Sequence, residues 1–528
     1  MEKYFNFGCN ILTLLCIFTG NLRSRESILL CLSQEHSVST IPSYNGTFND
    51  LEITPNLMRI SQEGTFFTNA FCTTSSLELG IDSLLHGIHF QPNTLTGELV
   101  KDIPSLQSIF KKRGYRTAFF GVWSQKTPPK DFEYWEIQTT ESLSYNPEFI
   151  SPDGSRKIEG HISDIIADIT LDWMKNHLTH AHPNFIVVQF PGARRPWVPP
   201  IRHLSFLNDI VLPEPETLRS EKTSRAPPSR YQAVEIQFDL SETKDLFLED
   251  SFGGNMKSKE ESGHKLFSRM NGEQLSAWQL SIRPQNQALA RAKLEMEDNI
   301  SWKYQRFAKN YLRCIHAVDE NVGRLYDFAE SNQTDGTWNF VYTACKGSFI
   351  GENGWFGDGW MYEPVMRIPL ILSGKNFQDR SINESYVQLI DLFPTLTNSK
   401  KENVHGLNFN SDLTHNSKER FLHFEHHHFP DERMVAKHYG IRGKKYKLIH
   451  YHQFDEWELF DLENDPLEQT NLYDDTLDSS IREKLKIQLM EKRKFLGFQS
   501  FSNPMPVEWR KIYRGPNARK KELIEILE

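Results

Sequence analysis

The chain has 528 residues, of which 38% are hydrophobic and 24% charged. This composition is typical of a globular protein with one large core and a smaller second one, and it excludes a disordered or fibrous chain. The formal net charge of −9 argues against binding to nucleic acid or anionic lipid through bulk charge, so an anionic ligand would need a local pocket.

The first residues resemble a targeting segment. Lys3 precedes an apolar stretch over residues 5–18, which is closed by the polar residues 19–21, as in a secretory signal. The stretch is too short to cross a bilayer in the mature protein. We therefore predict a signal segment over residues 1–24, no integral membrane segment in the mature chain, and a secreted or periplasmic protein. The alternative is an apolar strand or helix of the folded domain.

Apolar runs and helical patterns alternate through the first two thirds of the chain. Runs typical of buried parallel strands lie at 27–32, 117–121, 184–190, 339–343 and 368–373, and helical periods at 103–113, 162–177 and 302–329. This alternation predicts an α/β fold, with a large, mixed but mostly parallel sheet covered by helices on both faces. Ligands of such sheets bind at the carboxyl ends of the strands. The residues that follow each strand are therefore the candidates for a site.

The remaining segments complete a two-part organisation. We assign residues 25–397 to the α/β domain, in which the polar stretch 205–287 is predicted to be a long surface insertion. Strand-like segments at 421–425, 439–442, 446–451 and 456–460 precede a helical pattern at 476–494. They predict a C-terminal subdomain, residues 398–495, with a small antiparallel sheet and one helix. Residues 496–528 form a charged tail.

Several short segments carry a resemblance to a known family. They are TPNLMRISQEG at 54–64, GYRTAFFG at 114–121, VDENVGR at 318–324, GENGWF at 351–356, WMYE at 360–363 and RIP at 367–369. In this order they resemble the type I sulfatases of the alkaline-phosphatase-like superfamily. PEPET at 213–217, KHYG at 437–440 and WELFDLENDP at 457–466 are most similar to bacterial N-acetylglucosamine-6-sulfatase-like, mucin-desulfating enzymes. The resemblance spans residues 26–495 and implies sulfuric ester hydrolysis.

The resemblance implies a nucleophile that this chain lacks. Sulfatases convert a Cys or Ser in the pattern C/S-x-P/A-x-R to formylglycine. Aligned over residues 71–87, the nucleophile falls on Leu77 and the arginine on Ile81. No nearby Cys or Ser begins the motif in a shifted register, and residues 69–88 contain no Lys or Arg. The attacking group and the guanidinium partner of the sulfate are both missing.

The family's cation site is changed as well. The resemblance implies calcium or magnesium held by carboxylate oxygens after two strands, which would polarise the sulfate. Those positions contain no carboxylate here and read Ser33, Gln34, Cys345 and Lys346. Lys346 would bring an ammonium to the place of the metal. We therefore expect neither calcium nor formylglycine as a cofactor.

The family's sulfate-binding and proton-transfer groups are also replaced. Gly-Lys-Trp-His of the family reads GVWS at 121–124, which leaves Val122 and Ser124 at two of its functional positions. Lys-Ala-Pro-His-Arg reads PGARR at 191–195, so Arg194 replaces the histidine, and the lysine before WMY falls on Asp358. Because all three groups are lost while the flanking scaffold matches, we predict that no catalytic residue is retained.

Basic residues at the strand ends could still bind an anion. Arg194, Arg195 and Lys346 follow strands whose ends should converge, and they could hold a sulfated or other anionic glycan without cleaving it. The alternative is that they are solvated or pair with Asp358 and neighbouring carboxylates. His438 of KHYG matches a position that faces the substrate sugar in the family, and the alternative is a structural histidine in a strand.

The sequence thus predicts a pseudoenzyme that binds a sulfated or anionic glycan or a protein partner. One alternative is an active sulfuric ester hydrolase with a rebuilt site that uses Cys345, Lys346 or His438. Another is a decaying paralogue without a selected activity. The alternative for Cys345 is a structural role as a small buried core residue. For the run EHHH at 425–428, a strand and loop surface is favoured over a metal site.

Overall fold

The computed structural model describes residues 26–91, 103–138, 144–179, 182–248, 267–292, 296–332, 337–375, 377, 380–398, 404–409, 419–475 and 479–498. The predicted signal segment 1–24 and nearly all of the predicted tail lie outside the described residues. Among the helices that are described, none is both long and apolar enough to cross a membrane.

The described elements alternate along the chain as the sequence predicts. The strands are β1 Ser27–Glu35, β2 Thr65–Phe67, β3 Ala70–Phe71, β4 Arg116–Val122, β5 Tyr134–Gln138, β6 Glu148–Ser151, β7 Gly154–Lys157, β8 Asn184–Phe190, β9 Trp338–Lys346, β10 Phe349–Ile350, β11 Phe356–Gly357, β12 Leu370–Ser373, β13 Ser381–Asn383, β14 Val387–Gln388, β15 Leu422–His426, β16 His438–Arg442, β17 Tyr446–Tyr451 and β18 Glu456–Asp461. The helices are α1 Pro55–Glu63, α2 Leu77–His86, α3 Leu106–Lys112, α4 Ile162–His177, α5 Pro227–Arg230, α6 Gly272–Ala292, α7 Met296–Ser331, α8 Glu363–Met366, α9 Leu392–Thr397 and α10 Ser479–Phe495.

The large sheet has ten strands in the order β13-β2-β12-β9-β1-β8-β4-β5-β6-β7. Its centre, from β9 to β5, is parallel, which confirms the predicted mixed, mostly parallel α/β sheet. The run at 368–373 was expected to be parallel, but β12 pairs antiparallel with both β9 and β2. A short buried apolar run has the same composition in either direction, so only its long-range partners determine the orientation.

The central strand shows why these residues form a sheet covered on both faces. All nine residues of β1 are buried. Leu29 and Cys31 pack in one core together with residues of α4 and α7. Leu30 and Leu32 lie in the core on the opposite face. Because successive strand side chains point to opposite faces, only a continuous apolar run can fill both cores. After the apolar residues 28–32 of β1, three polar residues, Ser33, Gln34 and Glu35, follow at the carboxyl end of the strand, where a ligand site is expected.

The long helix α7 is fixed to α1 by a buried carboxylate. Asp319 accepts hydrogen bonds from the backbone N–H groups of Asn56 at 3.0 Å and Leu57 at 2.7 Å, in the first turn of α1. Such a contact satisfies N–H groups that have no partner within the helix and complements its dipole. This interaction explains the aspartate in the segment VDENVGR.

The predicted surface insertion also contributes to the interior. Val234 and Ile236 are fully buried in the main core, and Ile236 N–H donates to the Gly354 carbonyl at 2.9 Å. Farther along, Trp278 of α6 is buried in a separate small cluster. Such apolar residues are spread among many polar ones along the segment, so its polar composition conceals them.

The C-terminal subdomain is a four-stranded antiparallel sheet in the order β15-β16-β17-β18, with α10 packed against it, as predicted. Leu485 and Leu489 of α10 form a cluster with Ile441 and Leu448 of the sheet. Residues of the opposite face, such as Ile449, belong to the main core. The subdomain therefore packs on the α/β domain through one face and carries its helix on the other.

Candidate functional site

A cleft of about 620 Å³ lies at the carboxyl ends of the central strands. Glu35 ends β1 and stands directly opposite Lys346, the last residue of β9, in their parallel register. The loop after β8 brings Arg194 to the same wall, and a segment of the C-terminal subdomain adds residues 427–433. The strand ends predicted to converge therefore do so.

Lys346 lies at the centre of a buried network of charges. Its side chain is 4% exposed, forms an ion pair with Asp358 and approaches Glu35 Oε1 at 3.6 Å. The ammonium also donates to the Ser75 carbonyl at 3.0 Å. Arg433 forms a second ion pair with Asp358. The predicted alternative in which Lys346 pairs with Asp358 is thus the arrangement that the structure shows.

The two carboxyl groups that face Lys346 have opposite pKa shifts. Burial raises the pKa of Glu35 to about 7, against the opposing effect of Lys346. Burial acts in the same direction on Asp358, but Arg433 and Lys346 together hold the pKa of that carboxyl well below its ordinary value. Asp358 is therefore the partner that stays ionised, and Glu35 is the carboxyl of the network that takes up a proton as the pH falls below about 7.

The positions at which the resemblance places a calcium do not fit one. Ser33 Oγ donates to the Glu35 carbonyl at 2.8 Å, and Gln34 Nε2 donates to Ser124 Oγ at 3.1 Å. Gln34 Oε1 has no hydrogen-bond partner among the described residues. Calcium needs about six to eight oxygen ligands, several of them charged. The oxygens of Glu35 and Asp358 face the Lys346 ammonium instead.

The nucleophile position lies at the start of a helix that faces the cleft. Leu77 is the first residue of α2, and Ser76 Oγ accepts from Leu79 N–H as its cap. Leu77 lines the cleft, whereas Ile81, one turn later, is fully buried in the main core. An apolar side chain therefore occupies the place at the helix start where an attacking group would be presented.

Cys345 has the environment of a buried thiol. It is 1% exposed, and burial raises the pKa of its thiol to about 12 despite the nearby Lys346. A thiol in this state is a poor nucleophile. These properties favour the interpretation of Cys345 as a core residue.

The two adjacent arginines have different surroundings. Arg195 donates to both carboxylate oxygens of Asp245, at 2.8 and 2.6 Å, and lies 3.6 Å from Glu432. Arg194 is half-buried on the cleft wall, and its side chain makes no hydrogen bond or ion pair with the residues that the structure describes. The Arg194 guanidinium is therefore available to a ligand, whereas that of Arg195 is bound to Asp245.

His438 and Val122 are placed in the interior. His438 Nε2 accepts from Met361 N–H at 3.1 Å, so Nδ1 carries the proton and donates to the Ala436 carbonyl at 2.7 Å. The residue is 1% exposed and does not line the cleft. Val122 is also fully buried, at the end of β4, whereas Ser124 lies on the cleft wall.

A serine and a histidine that sequence reasoning did not select form a close pair. Ser75 Oγ lies 2.6 Å from His426 Nδ1. His426 Nε2 lies 2.7 Å from the His428 carbonyl, so it carries the ring proton and Nδ1 accepts from the serine. Burial lowers the pKa of His426 well below its ordinary value. The remaining histidines of this run, His427 and His428, line the cleft.

Two charged residues of the site were missed by sequence reasoning. Glu35 had a signal, because it follows Gln34 at the carboxyl end of the first predicted strand, where polar residues matter most. Arg433 had none, because it comes from the other end of the chain in an irregular segment. The four cation positions lack carboxylates, as expected, but Glu35 restores one beside them.

Comparison with protein families matches two models. Residues 43–398 match the family described as Sulfatase, and residues 351–495 match the one described as N-sulphoglucosamine sulphohydrolase, C-terminal. A curated relative, N-acetylglucosamine-6-O-sulfatase of Bacteroides thetaiotaomicron, is 29% identical over 490 residues, which are 89% of this chain and 86% of the relative. An arylsulfatase of Clostridium perfringens is 25% identical over 468 residues, 80% of this chain and 86% of its own.

A solved structure shares the fold closely. It is the structure of a protein in complex with its substrate, D-glucosamine-2-N,6-O-disulfate. It has a TM-score of 0.82 and 27% sequence identity, and the match covers 90% of this chain and 98% of that one.

Proposed function

The chain belongs to the sulfatase family, and from this premise we propose that it is a non-hydrolytic member that binds a sulfated or otherwise anionic sugar in the cleft at the ends of β1, β8 and β9. One observation is the main support for the proposal that hydrolysis is lost. The ammonium of Lys346 is held between Glu35 and Asp358, where the family resemblance places the cation.

The charge balance of the cleft supports this proposal. The positive charge of a buried lysine compensates the buried carboxylates, so the fold does not need a metal to keep them. With Leu77 at the helix start, the cleft also has no group at that position to attack a sulfur atom. A ligand that enters would be held without being cleaved.

Arg194 supports retention of anion binding. An arginine presents a planar set of donors that matches the oxygens of a sulfate. This one forms no ion pair with a described carboxylate, and its charge acts only at longer range to lower the pKa of Glu35. The similar protein whose solved structure contains D-glucosamine-2-N,6-O-disulfate suggests which sugar to test first. A signal segment over residues 1–24 would place the protein where such glycans occur, so we also propose that it is exported.

Thermal denaturation with defined sugars tests the proposal. Wild-type protein is mixed with D-glucosamine-2-N,6-O-disulfate, N-acetylglucosamine-6-sulfate or unsulfated glucosamine. We expect the sulfated sugars alone to raise the melting temperature, and Arg194→Ala to weaken binding by about 10- to 100-fold, because it removes charge-assisted hydrogen bonds. Arg59→Ala, on α1 and outside the cleft wall, is the matched control. No shift with any anionic sugar, or equal binding by Arg194→Ala, would overturn the proposal.

The pair of Ser75 and His426 favours a second candidate, a hydrolase with a rebuilt site. The Oγ-to-Nδ1 distance of 2.6 Å is that of a nucleophile and its base, and Ser75 lines the cleft. Against it stands the low basicity of the buried imidazole. A fluorophosphonate probe separates the candidates. Labelling of the wild type that is lost in Ser75→Ala supports the hydrolase, and absence of labelling supports the binding protein.

A further inference from the structure

A second cluster of side chains lies outside the cleft, where the long helix α7 meets the segment after β8. We propose that His203, His316 and Glu320 bind a divalent transition metal, with zinc as the best match. None of the three lines the cleft at the strand ends.

The three donor atoms already lie close together. His316 and Glu320 are four residues apart on α7, so their side chains share one face of the helix, and His316 Nε2 lies 3.7 Å from Glu320 Oε1. His203 ends the short helical turn Ile201–His203, and its Nε2 lies 2.9 Å from Glu320 Oε2. All three ligand atoms lie within 4.8 Å of one another. Around a tetrahedral zinc with bonds of about 2 Å, donor atoms are roughly 3.4 Å apart, so small side-chain shifts suffice. Zinc binding would also release to solvent the proton that His203 Nε2 donates to Glu320 Oε2.

The ring of His316 is oriented for a ligand. Its Nδ1 lies 2.9 Å from the Ile53 carbonyl. A carbonyl can only accept, so Nδ1 carries the proton and the Nε2 lone pair points toward Glu320. Phe206 stacks on the imidazole, with ring centroids 4.3 Å apart. A backbone carbonyl on the far nitrogen is the usual support of a metal-bound histidine.

The carboxylate is supported in the same way. Arg202 donates to Glu320 Oε2 at 3.1 and 2.8 Å through two of its nitrogens. This contact leaves Oε1 for the metal and fixes the plane of the carboxylate, as outer partners of ligating carboxylates do. Arg202 also forms an ion pair with Asp164, so its charge is shared between two acids.

The surroundings offer a route of entry for a cation. Glu320 lies on the wall of an open cleft of about 570 Å³, distinct from the one at the strand ends. The same cleft is lined by three aspartates and two arginines, namely Asp164, Asp168, Asp327, Arg202 and Arg324. Two imidazoles and one carboxylate are a ligand set that suits zinc or cobalt, whereas calcium and magnesium prefer oxygen ligands alone.

The bound metal would join the segment after β8 to the long helix. Binding to the folded state alone would raise the melting temperature, by an amount that grows with the logarithm of the free zinc concentration.

Zinc titration of the metal-stripped, full-length protein tests the site. We expect the wild type to bind one zinc ion per chain in calorimetry, and Co²⁺ at the same site to show the visible absorption of a tetrahedral centre. His316→Gln and His203→Gln should each lower zinc affinity by more than about 100-fold, since loss of outer partners alone costs about 10- to 100-fold. His428→Gln, a histidine of the other cleft, is the matched control and should bind as the wild type does.

The proposal is overturned if the wild type takes up no zinc from a micromolar solution, or if both His variants keep one tightly bound ion. Loss of binding in His428→Gln alone would assign the metal to the histidine run and overturn it as well. Circular dichroism checks that the variants fold. If either His variant does not, Glu320→Gln, which keeps the size of the side chain, provides the same test.

Discussion

Replacement of Lys346 by methionine is the perturbation that bears most directly on the charge network. Methionine keeps the length and the packing but removes the ammonium from between Glu35 and Asp358. Removing one partner of a buried ion pair costs about 3–5 kcal/mol, because the other charge is left buried without compensation. Asp358 keeps its ion pair with Arg433, so the cost falls mainly on Glu35. That carboxyl can take up a proton, and we expect the loss to be smaller at pH 5 than at pH 8.

Urea denaturation at both pH values measures this loss. Lys375→Met is the matched control, because the Lys375 side chain is 67% exposed and its Nζ lies 4.0 Å from Glu26 Oε1. A change at such a site stays within about 0.5 kcal/mol. The double variant Lys346→Met/Glu35→Gln should recover part of the stability, since it removes both members of the pair. If Lys346→Met costs no more than Lys375→Met at pH 8, the ammonium does not stabilise the site and the reasoning fails.

Three further predictions concern neighbouring groups. Burial raises the pKa of Glu35 from 4.5 to about 7. Between these two pH values the folded protein holds a proton that the unfolded chain releases. The contribution of Glu35 to the free energy of unfolding is therefore lost as the pH rises from 4.5 to 7. Glu35→Gln should therefore gain stability relative to the wild type between pH 4.5 and 7 in parallel denaturation curves, and a constant difference would contradict this. Arg195→Ala should lose about 3–5 kcal/mol of unfolding free energy, because it leaves the fully buried Asp245 carboxylate without its partner. Arg194→Ala should stay within about 0.5 kcal/mol of the wild type, and equal losses in the two variants would refute the distinction. In a Cys9→Ser/Cys16→Ser background, Ellman's reagent should detect Cys345 only after unfolding, because burial raises the pKa of this thiol to about 12. Fast reaction of Cys345 in the native protein would favour the rebuilt hydrolase.

Local patterns predicted the elements of this fold well. The helix at 162–177 and the strand at 184–190 have the predicted bounds, because continuous buried runs and helical periods are local properties of the sequence. The direction of β12 could not be predicted in this way, since it is set by pairing with β9 and β2. The burial of Val234 and Ile236 inside a polar segment depends in the same way on distant partners.

The sequence predicted where the residues of the candidate site lie, but not which of them form ion pairs with one another. Lys346 and Arg194 do lie at the converging strand ends, as the parallel architecture requires. Which of them is free was not predictable, because Lys346 is neutralised by Asp358 and Glu35, and Arg195 by Asp245, through pairings between distant parts of the chain. His438 was predicted to face a sugar, but its two ring nitrogens both form hydrogen bonds with the backbone.

Metal content measured together with turnover tests the central claim most directly. The purified full-length protein, supplied with calcium and then dialysed, is analysed by mass spectrometry for bound calcium and incubated with D-glucosamine-2-N,6-O-disulfate and an aryl sulfate. If Lys346 has replaced the cation, bound calcium should not exceed the buffer blank and sulfate release should not exceed that of a heat-inactivated control. Calcium bound one per chain, with sulfate release above that control, would contradict the account.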